Sequence, residues 1–168
     1  IAVSLSSDGN TVAIGAIGNV GNGSNSGHVR IYENTSGTWM QIGQDIDGEF
    51  AWDESGTSVS LSSDGSIVAI GAHYNDVGAG HVRIYENTSG SWSQIGQDID
   101  GEAAGDYSGS SVSLSSDGNT VAIGARYNDG NGNDAGHVRI YETTILGCTD
   151  PLACNYDPLA NVDDGSCN

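Results

Sequence analysis

A segment of about 50 residues occurs three times in this 168-residue chain, and this repetition constrains the fold more than any other feature. The complete unit is Ser58–Gly101; a nearly identical copy precedes it at Val3–Gly48, and a shortened copy follows at Ser111–Glu142. The copies differ in length mainly in the loop after the shared VAIGA run, where a surface connection tolerates insertions. A unit copied this closely is a structural module that completes its apolar face against its neighbours.

Apolar and polar residues alternate within each unit, which is the period of a half-buried β-strand. Four such runs lie in the second unit, at Thr57–Ser62, Ile67–Ala72, His81–Glu86 and Ser91–Ile99. Asp-Gly and Ser-Gly pairs separate them, and these pairs tolerate the positive φ that tight hairpins require. Each unit is therefore predicted to be a four-stranded antiparallel meander.

Both faces of a small meander need cover, so the copies are expected to stack face to face. Radial stacking of four-stranded sheets is a β-propeller, and a stacked solenoid is the alternative. We predict an all-β fold with propeller blades over residues 1–146, as units at 1–48, 55–101 and 108–142, and a small disulfide-rich tail at 147–168. The third blade is predicted to lack its outer strand, because Thr143–Cys148 replaces the sequence that starts this strand in the other copies.

Three blades cannot close a ring. The missing blades are expected either from further sequence of a longer protein or from self-association. The chain opens on Ile1 inside a predicted strand, without Met, so we expect its true N-terminus to lie upstream.

The charge balance is strongly acidic and excludes some partners. Four arginines and no lysine stand against 22 acidic residues, for a formal net charge of −18. With no basic surface to neutralise phosphates, nucleic acid is not an expected partner, and anionic membranes are disfavoured. No apolar run approaches the roughly 18 residues that span a bilayer, so no membrane insertion is predicted. Divalent cations and cationic or neutral surfaces remain as partners, and solubility alone is the other explanation of the charge.

The stretch GTSVSLSSDGSIVAIGAHYNDVGAGHVRIYE resembles the FG-GAP repeat of integrin α-like propellers, in a resemblance that covers Ile1–Glu142. It departs from that pattern in two places. The Phe-Gly pair is replaced by Ser55-Gly56 and Ser108-Gly109, and the proline of Gly-Ala-Pro is replaced by Ile17, His73 and Arg126. The resemblance implies a propeller, an extracellular setting and recognition through loops at one end of the blades.

Many repeats of this family carry a calcium loop between the first two strands, and this chain does not keep it. Only one carboxylate stands there in each copy, at Asp8, Asp64 and Asp117, whereas calcium takes six to eight oxygen ligands. These segments are predicted to be plain hairpin turns. The linkers between blades are better calcium candidates, with four carboxylates each: Asp45, Asp47, Glu49 and Asp53, and then Asp98, Asp100, Glu102 and Asp106. A solvated acidic loop is the alternative.

Two sets of residues are candidates for binding a ligand. Phe50 and Trp52 interrupt a near-perfect repeat, since Ala103 and Gly105 occupy the equivalent positions, and they could form a stacking platform or a lid on apolar core. The loop after the third VAIGA run offers polar groups suited to hydroxyls or a cation, unless it is simply flexible: Asn128, Asp129, Asn131, Asn133 and Asp134.

The histidines and the absence of a catalytic pattern point away from enzymatic chemistry. His28, His81 and His137 recur in GHVRIYE, each two residues before an arginine that would repel a cation. We predict that these histidines and arginines pair with neighbouring acids. No nucleophile stands beside a partnered base, so the chain is not predicted to be an enzyme.

The tail has too little apolar content to fold without disulfides or metal. It contains three cysteines, an odd number, and resembles short Cys-Asp-Gly modules of large secreted bacterial surface proteins. That resemblance implies a Cys148–Cys167 disulfide, a partner for Cys154 beyond the chain, and calcium at Asp157 and Asp163. Two thiols with one left over are also compatible with zinc, but no histidine accompanies them and the carboxylates prefer calcium.

The sequence thus predicts a non-enzymatic extracellular or cell-surface module for adhesion or recognition, which binds a protein or glycan through its loops. An accessory platform of a larger secreted polysaccharide-acting enzyme is the first alternative. A structural spacer in a surface filament is the second.

Overall fold

The computed structural model describes residues 1–143, 146–147, 150–154, 162–163 and 165–167. Sheet 1 is an antiparallel meander, β1-β2-β3-β4, in which a short β5 also pairs with β3. Its strands are β1 (Ala2–Leu5), β2 (Thr11–Ala16), β3 (His28–Thr35), β4 (Thr38–Gln41) and β5 (Ile46–Asp47). The repeat predicted one continuous fourth strand here, but the structure divides it into β4 and β5, with Gly43 at φ +72° between them.

Sheets 2 and 3 repeat this meander. Sheet 2 has the order β6 (Ser58–Leu61), β7 (Ile67–Ala72), β8 (His81–Thr88) and β9 (Ser91–Asp100). Sheet 3 has three strands, β10 (Ser108–Leu114), β11 (Thr120–Ala125) and β12 (His137–Glu142). Among the described residues no further strand pairs with β12, which agrees with the sequence change after Glu142. The predicted all-β fold of antiparallel sheets is confirmed.

The remaining elements are very short. A four-residue helical turn, α1 (Asn75–Gly78), lies in the β7–β8 loop, and a parallel pair of two-residue strands joins β13 (Leu146–Gly147) to β14 (Val162–Asp163). In the part of the chain that the structure describes, no helix has the length and apolar character needed to cross a bilayer.

The first hairpin of each sheet closes on a serine and an aspartate, as the turn prediction required. In sheet 2, Ser62 Oγ donates to Asp64 Oδ1 at 2.7 Å, and the backbone N–H of Ser66 donates to the same oxygen at 3.0 Å. The backbone N–H of Ile67 then donates to Ser62 Oγ. Donation by Ser66 and Ser62 lowers the pKa of Asp64. The Asp64 carboxylate therefore stabilises its own turn through these hydrogen bonds.

Two apolar cores lie between consecutive sheets. The core between sheets 1 and 2 packs Val29 and Ile31 of β3 against residues of sheet 2 that include Ile70 and Trp92. The core between sheets 2 and 3 contains five fully buried apolar residues, Ala69, Val82, Ile84, Val121 and Ile123. The two faces of sheet 2 are thus both covered, and the predicted broadside packing of consecutive copies is confirmed.

The first strands of adjacent sheets approach closely enough to exchange hydrogen bonds. The backbone N–H of Leu61 donates to Ser4 Oγ at 3.0 Å, and one repeat later that of Leu114 donates to Ser60 Oγ at 2.9 Å. This approach needs glycine, since a Cβ on Gly71 would overlap the carbonyl oxygen of Gly109. The repeated serines and glycines therefore align neighbouring sheets.

The outward faces of sheets 1 and 3 leave apolar side chains exposed. Leu5 and Trp39 of sheet 1 are 60% and 46% exposed, although the equivalent Leu61 and Trp92 are buried. On sheet 3, Ile140 is 71% exposed, whereas the equivalent Ile84 is buried. Each open face thus repeats the composition of a face that is covered inside the stack.

Candidate functional site: a pocket between the first two sheets

The linker between sheets 1 and 2 is held against the β2–β3 loop. The backbone N–H of Trp52 donates to Ser24 O at 2.8 Å, and that of Ser55 donates to Ser26 O at 2.9 Å. Asp53 is buried, and its Oδ2 accepts the backbone N–H of Phe50 at 2.8 Å. This anchored linker directs Phe50 and Trp52 outward, where they are 67% and 61% exposed.

These two aromatic residues line a pocket of about 750 Å³. Its other aromatic walls are Tyr74 from the β7–β8 loop and Tyr107 from the linker to sheet 3. Acidic groups from the first linker, α1 and β9 also line the pocket, together with His81: Glu49, Asp53, Asp76, Asp98 and Asp100. The pocket therefore combines stacking surfaces with hydrogen-bond acceptors and negative charge.

Several pocket residues have a backbone conformation that side chains disfavour. Trp52 has φ +75°, Asp76 +49°, Val77 +61° and Tyr107 +54°. A positive φ is a genuine outlier for a β-branched residue such as Val77. Conformations of this kind cluster at ligand sites, where the surrounding structure maintains them.

A histidine and two carboxylates that line the pocket lie close together. One ligand atom from each of Glu49, His81 and Asp98 lies within 4.8 Å of the others. His81 Nδ1 is 3.6 Å from Asp98 Oδ2, and Arg83 Nη1 is 3.5 Å from Glu49 Oε1. His81 is only 1% exposed, and this burial, reinforced by Arg83, lowers its pKa. The imidazole is therefore neutral near pH 7.

The predicted carboxylates Asp45 and Asp47 lie in an equivalent cluster of sheet 1, with His28. Here Arg30 binds the carboxylate of Asp45 through Nε at 2.9 Å and through Nη2 at 2.7 Å. Gln41 Nε2 donates to Asp45 Oδ1 as well. Arg30 holds the pKa of Asp45 at about 2. Both oxygens of this carboxylate are thus engaged by the protein itself.

The predicted carboxylates Glu102 and Asp106 lie in the linker before sheet 3 and contact residues of that sheet and of its β11–β12 loop. Asn128 is buried, and its Nδ2 donates to Asp106 Oδ2 at 2.7 Å and to Glu102 Oε2 at 3.1 Å. Glu102 also approaches His137 and Arg139 at 3.7 Å and 3.4 Å. The predicted pairing of the repeated histidines and arginines with acids is confirmed in all three sheets.

The remaining predicted polar residues stand apart from the pocket. Asp129, Asn131, Asn133 and Asp134 are exposed in the β11–β12 loop, where Asp129 Oδ1 accepts the backbone N–H of Asp134 at 2.7 Å. Of the predicted site residues, the structure brings six together at the pocket: Glu49, Phe50, Trp52, Asp53, Asp98 and Asp100.

The predictions for the tail concern residues that lie largely outside those the structure describes. Cys148 and Asp157 lie outside the described residues, and the side chain of Asp163 is not described. The Cys148–Cys167 disulfide and the calcium ligands of the tail stay predictions.

Sequence reasoning missed the tyrosines. Tyr74, Tyr107 and Tyr127 form a row of edge-on rings with centroids 5.1 Å and 5.3 Å apart, and Arg126 lies over Tyr107 and Tyr127. A signal was present, because Tyr107 replaces the Glu54 of the preceding linker, just as Phe50 and Trp52 depart from the repeat.

Comparison with known proteins assigns part of the chain to a repeat family. Residues 99–141 match the FG-GAP repeat family. The match covers the end of β9 and sheet 3 as far as Tyr141, so the first unit and most of the second lie outside it. FG-GAP repeats are typical of extracellular proteins. No curated protein matches the chain.

Solved structures resemble the chain in fold. A protein from Bacteroides uniformis, named as a candidate 6-phosphogluconolactonase, matches with a TM-score of 0.55 and 15% identity, over 83% of this chain and 35% of its own. TolB from Acinetobacter baumannii matches with a TM-score of 0.46 and 17% identity, over 84% and 32% of the two chains. The GH74 enzyme from Niastella koreensis matches with a TM-score of 0.41 and 21% identity, over 72% of this chain and 20% of its own.

The first of these likenesses shows a shared all-β fold and nothing further, because its sequence identity is low. This chain spans about a third of the Bacteroides uniformis protein.

Proposed function

We propose that this chain is a non-enzymatic recognition module of an extracellular or cell-surface protein, and that the pocket between sheets 1 and 2 binds its glycan or protein ligand. The observation that carries the proposal is the exposure of Phe50 and Trp52 in a concave site that Tyr74 and Tyr107 extend. Aromatic faces stack on apolar faces of sugars and on side chains, and the surrounding carboxylates accept hydrogen bonds from hydroxyl or amide groups.

The repeat itself supports a binding role for these two aromatic residues. The equivalent linker before sheet 3 has Ala103 and Gly105 at the same positions and still passes between two sheets. Phe50 and Trp52 are therefore not needed for the linker to form. Trp52 even has a φ of +75°, which glycine adopts without strain.

This comparison also supplies a test that leaves the fold intact. The double variant Phe50→Ala, Trp52→Gly gives the first linker the residues of the second. We expect the labelled chain to bind specific members of an array of glycans and immobilised extracellular proteins, and the double variant to lose that binding. Val20→Ala, which changes an exposed loop residue outside the pocket, is the matched control. Equal binding by the double variant and the parent chain would contradict the proposal.

A second role, as one part of a larger array, is favoured by the exposed apolar faces of sheets 1 and 3. Leu5 and Ile140 have the exposure of residues that lack their neighbouring sheet. We propose that further blades, from the same protein or from a second copy, cover these faces. In this arrangement the chain belongs to a longer propeller, to a surface filament, or to an accessory platform of a secreted polysaccharide-acting enzyme.

The tail belongs to the same proposal. A Cys148–Cys167 disulfide requires an oxidising compartment, which fits an extracellular location. Mass spectrometry of the unreduced protein tests this directly. Recovery of both cysteines as free thiols would contradict a secreted location and the proposed Cys-Asp-Gly module.

A further inference from the structure

We propose that Glu49, His81 and Asp98 form a binding site for one divalent transition metal ion, with an open coordination position on the side of the pocket. This set differs from the four-carboxylate linkers predicted from sequence, because it joins one linker acid to a histidine and an acid of the following sheet. The inference concerns metal binding itself and does not depend on the recognition proposed above.

The geometry of the three groups suits a small ion. Their ligand atoms lie within 4.8 Å of one another, so an ion with ligand distances of about 2.0–2.2 Å can contact all three after small side-chain movements. Imidazole with carboxylates is a donor set that zinc and cobalt accept, whereas calcium prefers oxygen alone.

The surroundings of the His81 imidazole independently favour a ligand here. It is 1% exposed, lines the pocket, and has its Nδ1 3.6 Å from Asp98 Oδ2, which exceeds hydrogen-bond length. A buried polar ring atom normally has a hydrogen-bond partner. Nδ1 of His81 thus has a carboxylate beside it at a distance too long for a hydrogen bond, and a metal ion between the two groups would be coordinated by both.

The two carboxylates keep donor atoms for an ion. Gln94 Nε2 donates to Asp98 Oδ1 at 2.6 Å, which orients the carboxylate and leaves Oδ2 toward His81. Arg83 approaches Oε1 of Glu49, and its Nη2 donates to the backbone carbonyl of Asp47 at 2.9 Å. Oε2 of Glu49 therefore remains as a donor atom, while Arg83 fixes the linker in place.

The equivalent residues of sheets 1 and 3 can be compared with this site. Sheet 1 also has a histidine with two acids, His28, Asp45 and Asp47, but Arg30 already binds both oxygens of Asp45. Sheet 3 has the linker acid and histidine, Glu102 and His137, and the equivalent of Asp98 would lie on a fourth strand that is absent among its described strands. Of the three repeated histidines, all in the described chain, only His81 lies beside an acid, Asp98, that no arginine contacts.

The test is titration of the metal-free chain with cobalt(II), whose visible spectrum reports imidazole and carboxylate ligation and whose thiolate charge-transfer bands would reveal binding by the tail cysteines instead. We expect one ion per chain without thiolate bands. Glu49→Gln and Asp98→Asn should each weaken binding by at least about tenfold. Both carboxylates are partly exposed, so these variants should fold.

Matched controls use the incomplete sites. Asp45→Asn and Glu102→Gln change equivalent carboxylates in sheets 1 and 3 and should leave cobalt affinity within about twofold, since neither contributes to the site. Zinc should shift the imidazole nitrogen resonances of one of the four histidines. No binding, thiolate bands, equal loss in the control variants, or unchanged affinity in Asp98→Asn would each overturn the assignment.

Discussion

Trp39 and Trp92 occupy the same position of the repeat, yet one is exposed and the other is core. Trp92 is 3% exposed, and its Nε1 donates to the carbonyl of Ile42, between β4 and β5 of the first unit, at 3.0 Å. Trp39 is 46% exposed on the open face of sheet 1. The difference comes from the neighbouring sheet, because the local sequences are nearly identical.

We expect the same substitution to lower the free energy of unfolding by different amounts at these two tryptophans. Trp92→Ala should reduce the free energy of unfolding by about 3–5 kcal/mol, through lost burial and an unfilled cavity. Trp39→Ala should cost less than about 1 kcal/mol. Denaturant unfolding monitored by circular dichroism measures both. Equal losses would show that another surface covers Trp39 in solution.

A second prediction at this scale concerns acid unfolding. The pKa of folded Asp45 is about 2, below its ordinary value of 3.8, because Arg30 binds the charged form. The stabilisation from this pair is therefore complete above about pH 4 and disappears as the pH falls through the folded pKa. In Asp45→Asn the loss of stability in this acid range should be shallower than in the parent chain. Asp76→Asn, which removes an exposed acid on α1 outside this ion pair, is the control, and a slope for Asp45→Asn as steep as that of the control would contradict the role of Arg30.

At the scale of elements, alignment of neighbouring sheets depends on contacts between backbones. Gly71 on β7 faces the carbonyl of Gly109 on β10, while the Ser58 hydroxyl donates to that same carbonyl at 2.7 Å. Gly15 and Gly56 make the equivalent approach one sheet earlier. The glycines of the VAIGA run are therefore set by the approach of the next sheet as well as by their own strand.

Gly71→Ala tests this requirement. The added Cβ would overlap a backbone oxygen that cannot rotate away, so sheets 2 and 3 must separate locally. We expect destabilisation in the upper part of the range of about 1–3 kcal/mol. Gly18→Ala, at a position with open space and no positive φ, should be close to neutral. A neutral Gly71→Ala would mean that the two backbones do not approach as described.

At the scale of the whole molecule, the apolar end faces and the net charge of −18 have opposite effects on association between copies of the chain. The end faces favour association with another sheet, because burial of apolar area releases free energy. The acidic surface repels a second copy at low ionic strength, and salt screens that repulsion over about 10 Å at 0.1 M. Association of this chain should therefore increase with salt.

Sedimentation velocity measures that association. We expect larger species to grow with protein concentration and with sodium chloride. Ile140→Glu, on the open face of sheet 3, should reduce them strongly. Val20→Glu adds the same charge at an exposed loop residue and should reduce them much less. A monomer at every salt concentration would indicate that the end faces do not pair between copies.

The sequence by itself determined the local structure, because alternation, turn residues and repetition act over a few residues and are written into each copy. It predicted the strands apart from the break between β4 and β5, the plain Ser-Asp-Gly turns and the face-to-face packing, and it singled out Phe50 and Trp52, which line the pocket. The tertiary structure decided which equivalent residues are buried, as with Trp39 and Trp92, because burial depends on which neighbour is present. It also decided the membership of the pocket and of the Glu49–His81–Asp98 cluster. Stacking of one sheet on the next brings these residues together from distant parts of the chain. A local sequence pattern does not show which distant residues will meet.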